Sequence, residues 1–325
     1  STIAFPKQMT LGAIQSNNLI YQMGQEIGKQ CKRLGVNMNM APVVDINNNP
    51  NNPVINSRSF GENPNKVAKK SLMYMKGLQN QNILANAKHF PGHGDTDSDS
   101  HKTLPIIYHN KKRLDSVELH PFKLLIDSGL KAMMVAHLYV PTLDNTPNKA
   151  STLSKKVVTD LLQKELNFKG LIFTDGLNMR GVSAFYEKGK LDVQALKAGN
   201  DILLIPEDIP AAVAEIKKAI ESSELTINEI DQKVKKILSA KKWLKLYSHK
   251  KVNKEILTLS DDKHTAEKGD YKDFMSKEIN EQNITAKTCI KEYVDQLRND
   301  INLYNFPIDP KEIKKIILIG CGTAY

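Results

Sequence analysis

Three histidines and three aspartates crowd the stretch from Lys88 to His101, Lys-His-Phe-Pro-Gly-His-Gly-Asp-Thr-Asp-Ser-Asp-Ser-His. Pro91, Gly92 and Gly94 open its backbone to turn conformations closed to other residues, as a loop folding over a pocket requires. Histidine and aspartate both ligate metals, but this spacing matches no ligand pattern and no His-x-x-x-His helix is present, so no metal and no cofactor are expected. Proton transfer is the other chemistry within reach. Asp99 can accept a hydrogen bond from one ring nitrogen of His101, leaving the second nitrogen to act as acid and then as base. In extended backbone an i, i+2 spacing puts the two side chains on the same side. A solvated polar loop accounts equally well for Asp-Ser-Asp-Ser-His taken alone.

A second stretch, Leu171-Ile172-Phe173-Thr174-Asp175-Gly176-Leu177-Asn178-Met179, is a buried β run that delivers one carboxylate to its end. Gly176 leaves room for a substrate to approach. Asp175 is therefore a candidate nucleophile, with capping of the helix that follows as its alternative.

The elements that must hold these groups follow from the apolar patterning. Short apolar runs (36–44, 83–87, 132–136, 171–173 and 202–205) alternate with amphipathic stretches, as in βα units around a parallel sheet. Four of these runs end in titratable residues: Asp45, Lys88 with His89, His137, and Asp175. In a (β/α)8 barrel the carboxyl ends of the strands face the active site, so polar residues there read as catalytic, although any one alone suits a turn. A closed barrel has eight strands and this pattern provides fewer. The fold class expected is α/β, a TIM-type (β/α)8 barrel lacking its N-terminal strands, which opens on one helix over 9–32. Helices are expected over 210–222 and 227–246, with Trp243 packing a helix end against the barrel. A polar stretch then marks a boundary, giving domains 1–250 and 251–325. Beyond it the pattern predicts a helix over 271–302, a turn at 305–310 and a strand over 316–319 closed by Gly320-Cys321-Gly322-Thr323.

Among 325 residues, 40% hydrophobic and 25% charged, no apolar run approaches the roughly 20 residues that span a bilayer. The net charge of +10 comes from dispersed lysine, so no nucleic-acid partner is expected. Cys31, Cys289 and Cys321 lie far apart and argue against a disulfide framework. Any targeting segment is expected upstream of Ser1, which leaves the compartment open between cytoplasm and bacterial cell envelope.

Lys-His-Phe-Pro-Gly-His-Gly followed by Asp-Ser-His resembles the signature of the β-N-acetylglucosaminidases of glycoside hydrolase family 3. Ala41-Pro42-Val43-Val44-Asp45 with Asn56-Ser57-Arg58-Ser59-Phe60-Gly61 is similar to the segment preceding that signature, and 173–179 to the family's nucleophile strand. The resemblance implies that Asp175 attacks the anomeric carbon and that His101, oriented by Asp99, protonates the leaving oxygen and later activates water. It implies further that Arg58, Lys88 and His89 hold sugar hydroxyls, with Asp45, His137 and Met179 also lining the sugar site. The family's acidic and arginine segment ahead of the first helix has no counterpart here. The implied function is retaining hydrolysis that releases non-reducing β-linked N-acetylglucosamine, from an oligosaccharide or a peptidoglycan muropeptide. The alternatives are a phosphorylase and an inactive sugar-binding remnant.

Residues 260–325 are similar to the linker and first strand of the isomerase half of glucosamine-6-phosphate synthase. That resemblance implies a truncated sugar-isomerase-like domain in which Thr323 would meet a phosphate. A strand end with ordinary glycine turns is the alternative.

Overall fold

A computed structural model describes residues 3–100 and 103–246, together with strand residues 294–295 and 300–301. The chain divides into two units, Ser1–Lys250 and Lys251–Tyr325.

The first unit is an α/β half-barrel. Five strands, β1 (Met38–Asn39), β2 (Leu84–Phe90), β3 (Ala132–Val135), β4 (Leu171–Gly176) and β5 (Ile202–Leu204), run parallel, each paired with the next in sequence. Side chains alternate between the two faces with the two-residue period of a strand. Ala85, Ala87, Met133, Val135 and Ile172 belong to the large core shared with the flanking helices. Leu84, Ala132, Met134, Leu171 and Phe173 form the opposite face, where Ile237, Ala240, Trp243 and Leu244 pack against them. Burial on both faces is why these strands read as continuous apolar runs ending in polar residues.

The helices explain themselves locally. α1 (Gln8–Gly12) and α2 (Asn17–Arg33) open the chain. At the start of α3 (Pro64–Asn80), Asn63 accepts a hydrogen bond from the Lys66 amide and Pro64 occupies the first helical turn, where its missing N–H costs nothing. α2 and α3 cross with backbones nearly touching: a β-carbon on Gly24 would lie 2.7 Å from the Tyr74 carbonyl oxygen, and one on Gly77 would clash with that of Tyr21. α4 (Lys111–Ser116), α5 (His120–Asp127) and a π-helical segment (Lys156–Glu165) follow. The remaining helices are α6 (Arg180–Ser183), α7 (Lys190–Ala198), α8 (Ile209–Glu221) and α9 (Ile227–Trp243). The last starts at a capping box in which Thr226 and Glu229 satisfy each other's amides.

Three expectations are corrected. The run 36–44 forms a ladder only at Met38–Asn39, and Val43 makes an isolated bridge to Lys88, because Pro42 has no N–H to donate. The opening helix is two helices, since α1 ends at Gly12 and Ser16 takes the extended backbone of a residue preceding a helix. Within the helix expected over 271–302, β6 (Val294–Asp295) and β7 (Asp300–Ile301) instead pair antiparallel, with Val294 in register with Ile301. The turn at 305–310 and the strand over 316–319 lie outside the described residues. Trp243 packs where expected, with the Lys131 ammonium 5.7 Å from its ring centre. Among the described residues, no helix is long and apolar enough to cross a membrane.

Candidate active site

The carboxyl ends of the strands gather the titratable groups. Asp45 is wholly buried and accepts the His93 amide at 2.7 Å and the His89 amide at 3.1 Å, both on Oδ1, while His89 Nδ1 lies 2.7 Å from Oδ2. Burial pushes this carboxyl up, but the His89 and His93 rings and these hydrogen bonds outweigh it and hold the group below the usual carboxylate range. On the far side of the imidazole, Arg58 Nη2 is 3.3 Å from His89 Nε2. Guanidinium can only donate, so Arg58 turns an N–H toward the Nε2 edge of the ring while the Nδ1 edge faces the Asp45 carboxylate. Asp45 thus orients His89, and His89 orients the half-buried Arg58. Lys88 lies beside these groups. Burial and then Arg58 pull its ammonium down, while Asp175 and Asp45 partly restore it.

Asp175 stands at the end of β4, where Oδ1 accepts the Gly176 amide at 2.8 Å. Burial raises its carboxyl. The combined effect of His89, His137, the Gly176 amide and Lys88 is larger, so the group sits below its ordinary range and is ionised at neutral pH. The helix-cap alternative is not what the contacts support, because the next helix, α6, begins at Arg180 and receives no side-chain cap. His137 is fully buried, with Nε2 2.9 Å from the Gly176 carbonyl oxygen and Nδ1 2.7 Å from Thr152 Oγ1. Through these two contacts the ring braces the strand end that carries Asp175. Met179 is buried against the same end, its amide bonded to the Gly176 carbonyl.

The glycine-bearing loop is tied down from within. His93 Nδ1 is 2.8 Å from Thr96 Oγ1, and Nε2 is 3.1 Å from Ser100 Oγ. Asn52 donates to the carbonyls of His93 and Gly94 at 2.8 and 3.1 Å. Burial lowers the His93 ring to about 4, so it is neutral at pH 7. Asp99 is half-buried on this loop, and Thr103 donates its amide to the Asp99 carbonyl at 3.0 Å. His101 and Thr323 lie outside the described residues.

Sequence reasoning passed over His93, Asn52 and Thr152. The three-residue step from His93 to Thr96, with Gly94 between, is the signal by which the first was detectable. The other two act across the fold and left none.

Metal-capable donors meet once among the described residues, where atoms of Asp95, His109 and Glu118 lie within 4.8 Å of one another. His109 Nε2 is 2.7 Å from Asp95 Oδ2. The Arg113 guanidinium stands 3.3 Å from Glu118 and 3.8 Å from Asp95, supplying the positive charge that the two carboxylates need. A cavity of about 460 Å3 opens at the amino ends of the strands beside Leu84, Lys131, Leu171 and Trp243. It contains none of the strand-end carboxylates, so chemistry rather than cavity size marks the site.

Residues 1–240 match the glycosyl hydrolase family 3 N-terminal domain. Beta-hexosaminidase A of Pseudoalteromonas piscicida is 35% identical over 260 residues, covering 73% of this chain and 44% of that protein. A beta-hexosaminidase of Nitrosomonas eutropha is 36% identical over 213 residues, covering 64% of this chain and 60% of the relative. Among solved structures, a glycoside hydrolase family 3 beta-N-acetylglucosaminidase from Paenibacillus sp. superposes with a TM-score of 0.74 at 38% identity, covering 82% of this chain and 51% of that one. The chain spans about half the length of these relatives.

Proposed function

Because the chain belongs to glycosyl hydrolase family 3, we propose that it serves a retaining β-N-acetylhexosaminidase that releases non-reducing N-acetylglucosamine, with peptidoglycan fragments as the source. The observation that carries this reading is the ionised, largely buried Asp175 carboxylate at the end of β4, set among Lys88, His89 and His137. The names of the relatives support the substrate class.

In the proposed reaction an Asp175 oxygen bonds to the anomeric carbon as the glycosidic C–O bond breaks. His101, oriented by Asp99, gives its proton to the departing oxygen. Water then loses a proton to His101 and attacks the same carbon, freeing the Asp175 carboxylate with net retention. Arg58 and Lys88 donate to sugar hydroxyls, and Asp45 and His89 hold Arg58 in place for that task. Residues 1–250 are proposed to act as the incomplete barrel that carries this site. The glycine-bounded end of 251–325 supports a separate proposal, the start of a sugar-isomerase-like domain in which Thr323 faces phosphate.

Following cleavage of a nitrophenyl β-N-acetylglucosaminide by proton NMR tests the reaction. The β-anomer is expected as the first product, and the α-anomer first would contradict it. Running the reaction with and without phosphate distinguishes hydrolysis from phosphorolysis, since a sugar phosphate formed in phosphate buffer would overturn the hydrolase.

A further inference from the structure

Three side chains that the proposed reaction does not use converge on one point, and the inference they carry is independent of that reaction. Single donor atoms of Asp95, His109 and Glu118 lie within 4.8 Å of one another. Each comes from a separately anchored segment. Asp95 follows Gly94, where a β-carbon would run into the Ile46 carbonyl oxygen, so the loop backbone is pressed against its neighbour just before the carboxylate. The His109 carbonyl oxygen accepts the Thr142 hydroxyl at 2.7 Å, and the residue precedes the Asn110 cap of α4. Glu118 sits between α4 and α5, and a β-carbon on Gly92 would stand 2.9 Å from that of Glu118, so the glycine-bearing loop lies directly on it.

Arg113 brings positive charge to this point but satisfies the carboxylates incompletely. Its Nε and Nη2 both turn to Glu118 Oε1, at 3.4 and 3.3 Å, and Nη2 stands 3.8 Å from Asp95 Oδ2, too far for a hydrogen bond. Glu118 is only 4% exposed, yet its Oε2 has no hydrogen-bond partner. A buried carboxylate oxygen in that state is costly, and a cation that bonds to it directly removes the cost.

The geometry points to a zinc site in which Asp95, His109 and Glu118 are the three protein ligands and water completes the tetrahedron. One imidazole nitrogen with two carboxylate oxygens is a donor set that suits zinc, whereas magnesium and calcium take oxygen alone. The donor atoms need to close from 4.8 Å to about 3.4 Å, the separation of two ligands each about 2.1 Å from a tetrahedral ion. His109 Nε2 already lies 2.7 Å from Asp95 Oδ2, and the ion takes the place of the proton between them. The Arg113 side chain is 39% exposed, so it can turn to solvent as zinc enters. Bound zinc fastens the glycine-bearing loop to the junction of α4 and α5.

Calorimetric titration of the metal-free full chain with zinc chloride tests the site, comparing wild type with three variants so that zinc held elsewhere cancels. One zinc equivalent is expected whose affinity falls about tenfold or more in both His109→Ala and Glu118→Gln. Arg113→Ala removes the competing cation and is expected to tighten the same equivalent about two- to fivefold, the range of a partly exposed ion pair. The His109 ring is 30% exposed, so His109→Ala decides the matter if Glu118→Gln does not fold. A zinc isotherm left unchanged by His109→Ala, or weakened by Arg113→Ala, would overturn the site.

Discussion

Asp45, almost wholly buried, is the residue on which the strand-end groups converge. Its carboxylate draws in the amides of His89 and His93 and the His89 ring, and so fixes both the group behind Arg58 and the base of the glycine-bearing loop. His93 completes that loop as a buried neutral ring, and its proton affinity gives a stability prediction. The ring titrates near 4 when folded against 6.5 unfolded. Between those pH values the unfolded chain binds more protons, so stability is full above about 6.5 and is lost as pH falls toward 4, by roughly 3 kcal/mol from this residue. Denaturant unfolding at pH 7, 5.5 and 4 is expected to trace that loss, and His93→Gln should flatten it. A His93→Gln protein with the wild-type pH slope would contradict the assignment. In the sequence, Asp45 was legible as a strand-end carboxylate and His93 as part of a loop. Their hydrogen bond was not, because 48 residues separate the partners and only the folded sheet brings them together.

At the scale of elements, polar groups reach the site because parallel strands buried on both faces end together at one rim. That much could be read from apolar runs closing on Lys88, His137 and Asp175. The breaks could not, since they depend on backbone detail: Pro42 interrupts the first strand, and the turn at 13–16 splits the opening helix. Helix packing was equally hidden, because the Gly24 and Gly77 contact requires knowing which helices cross. That crossing supports the outer face of β2, and Gly77→Ala is expected to cost about 1–3 kcal/mol by forcing α2 and α3 apart. Equilibrium urea unfolding measures it, and a variant as stable as wild type would show that the helices separate freely. The loss should appear in stability before activity, since neither helix carries a candidate site residue.

For the molecule as a whole, a net charge of +10 gives a field that draws anionic molecules, although no single basic block produces it. If muropeptides with free carboxylates are the substrates, kcat/KM for them should fall several-fold between about 20 and 300 mM salt, while that for neutral chitobiose stays level. An equal response for both would remove charge from the account of substrate choice. The composition disclosed that field but not the proposed chemistry, which is argued from a few residues at one rim of the half-barrel. The claim at the centre is that Asp175 forms the bond to the sugar, and covalent trapping tests it most directly. Incubation with a 5-fluoro N-acetylglucosaminyl donor, followed by peptide mass mapping, should place the added sugar on the peptide containing Asp175, and Asp175→Asn should remove the label. A sugar attached to any other residue, or turnover of the donor by the Asp175→Asn protein at the wild-type rate, would contradict it.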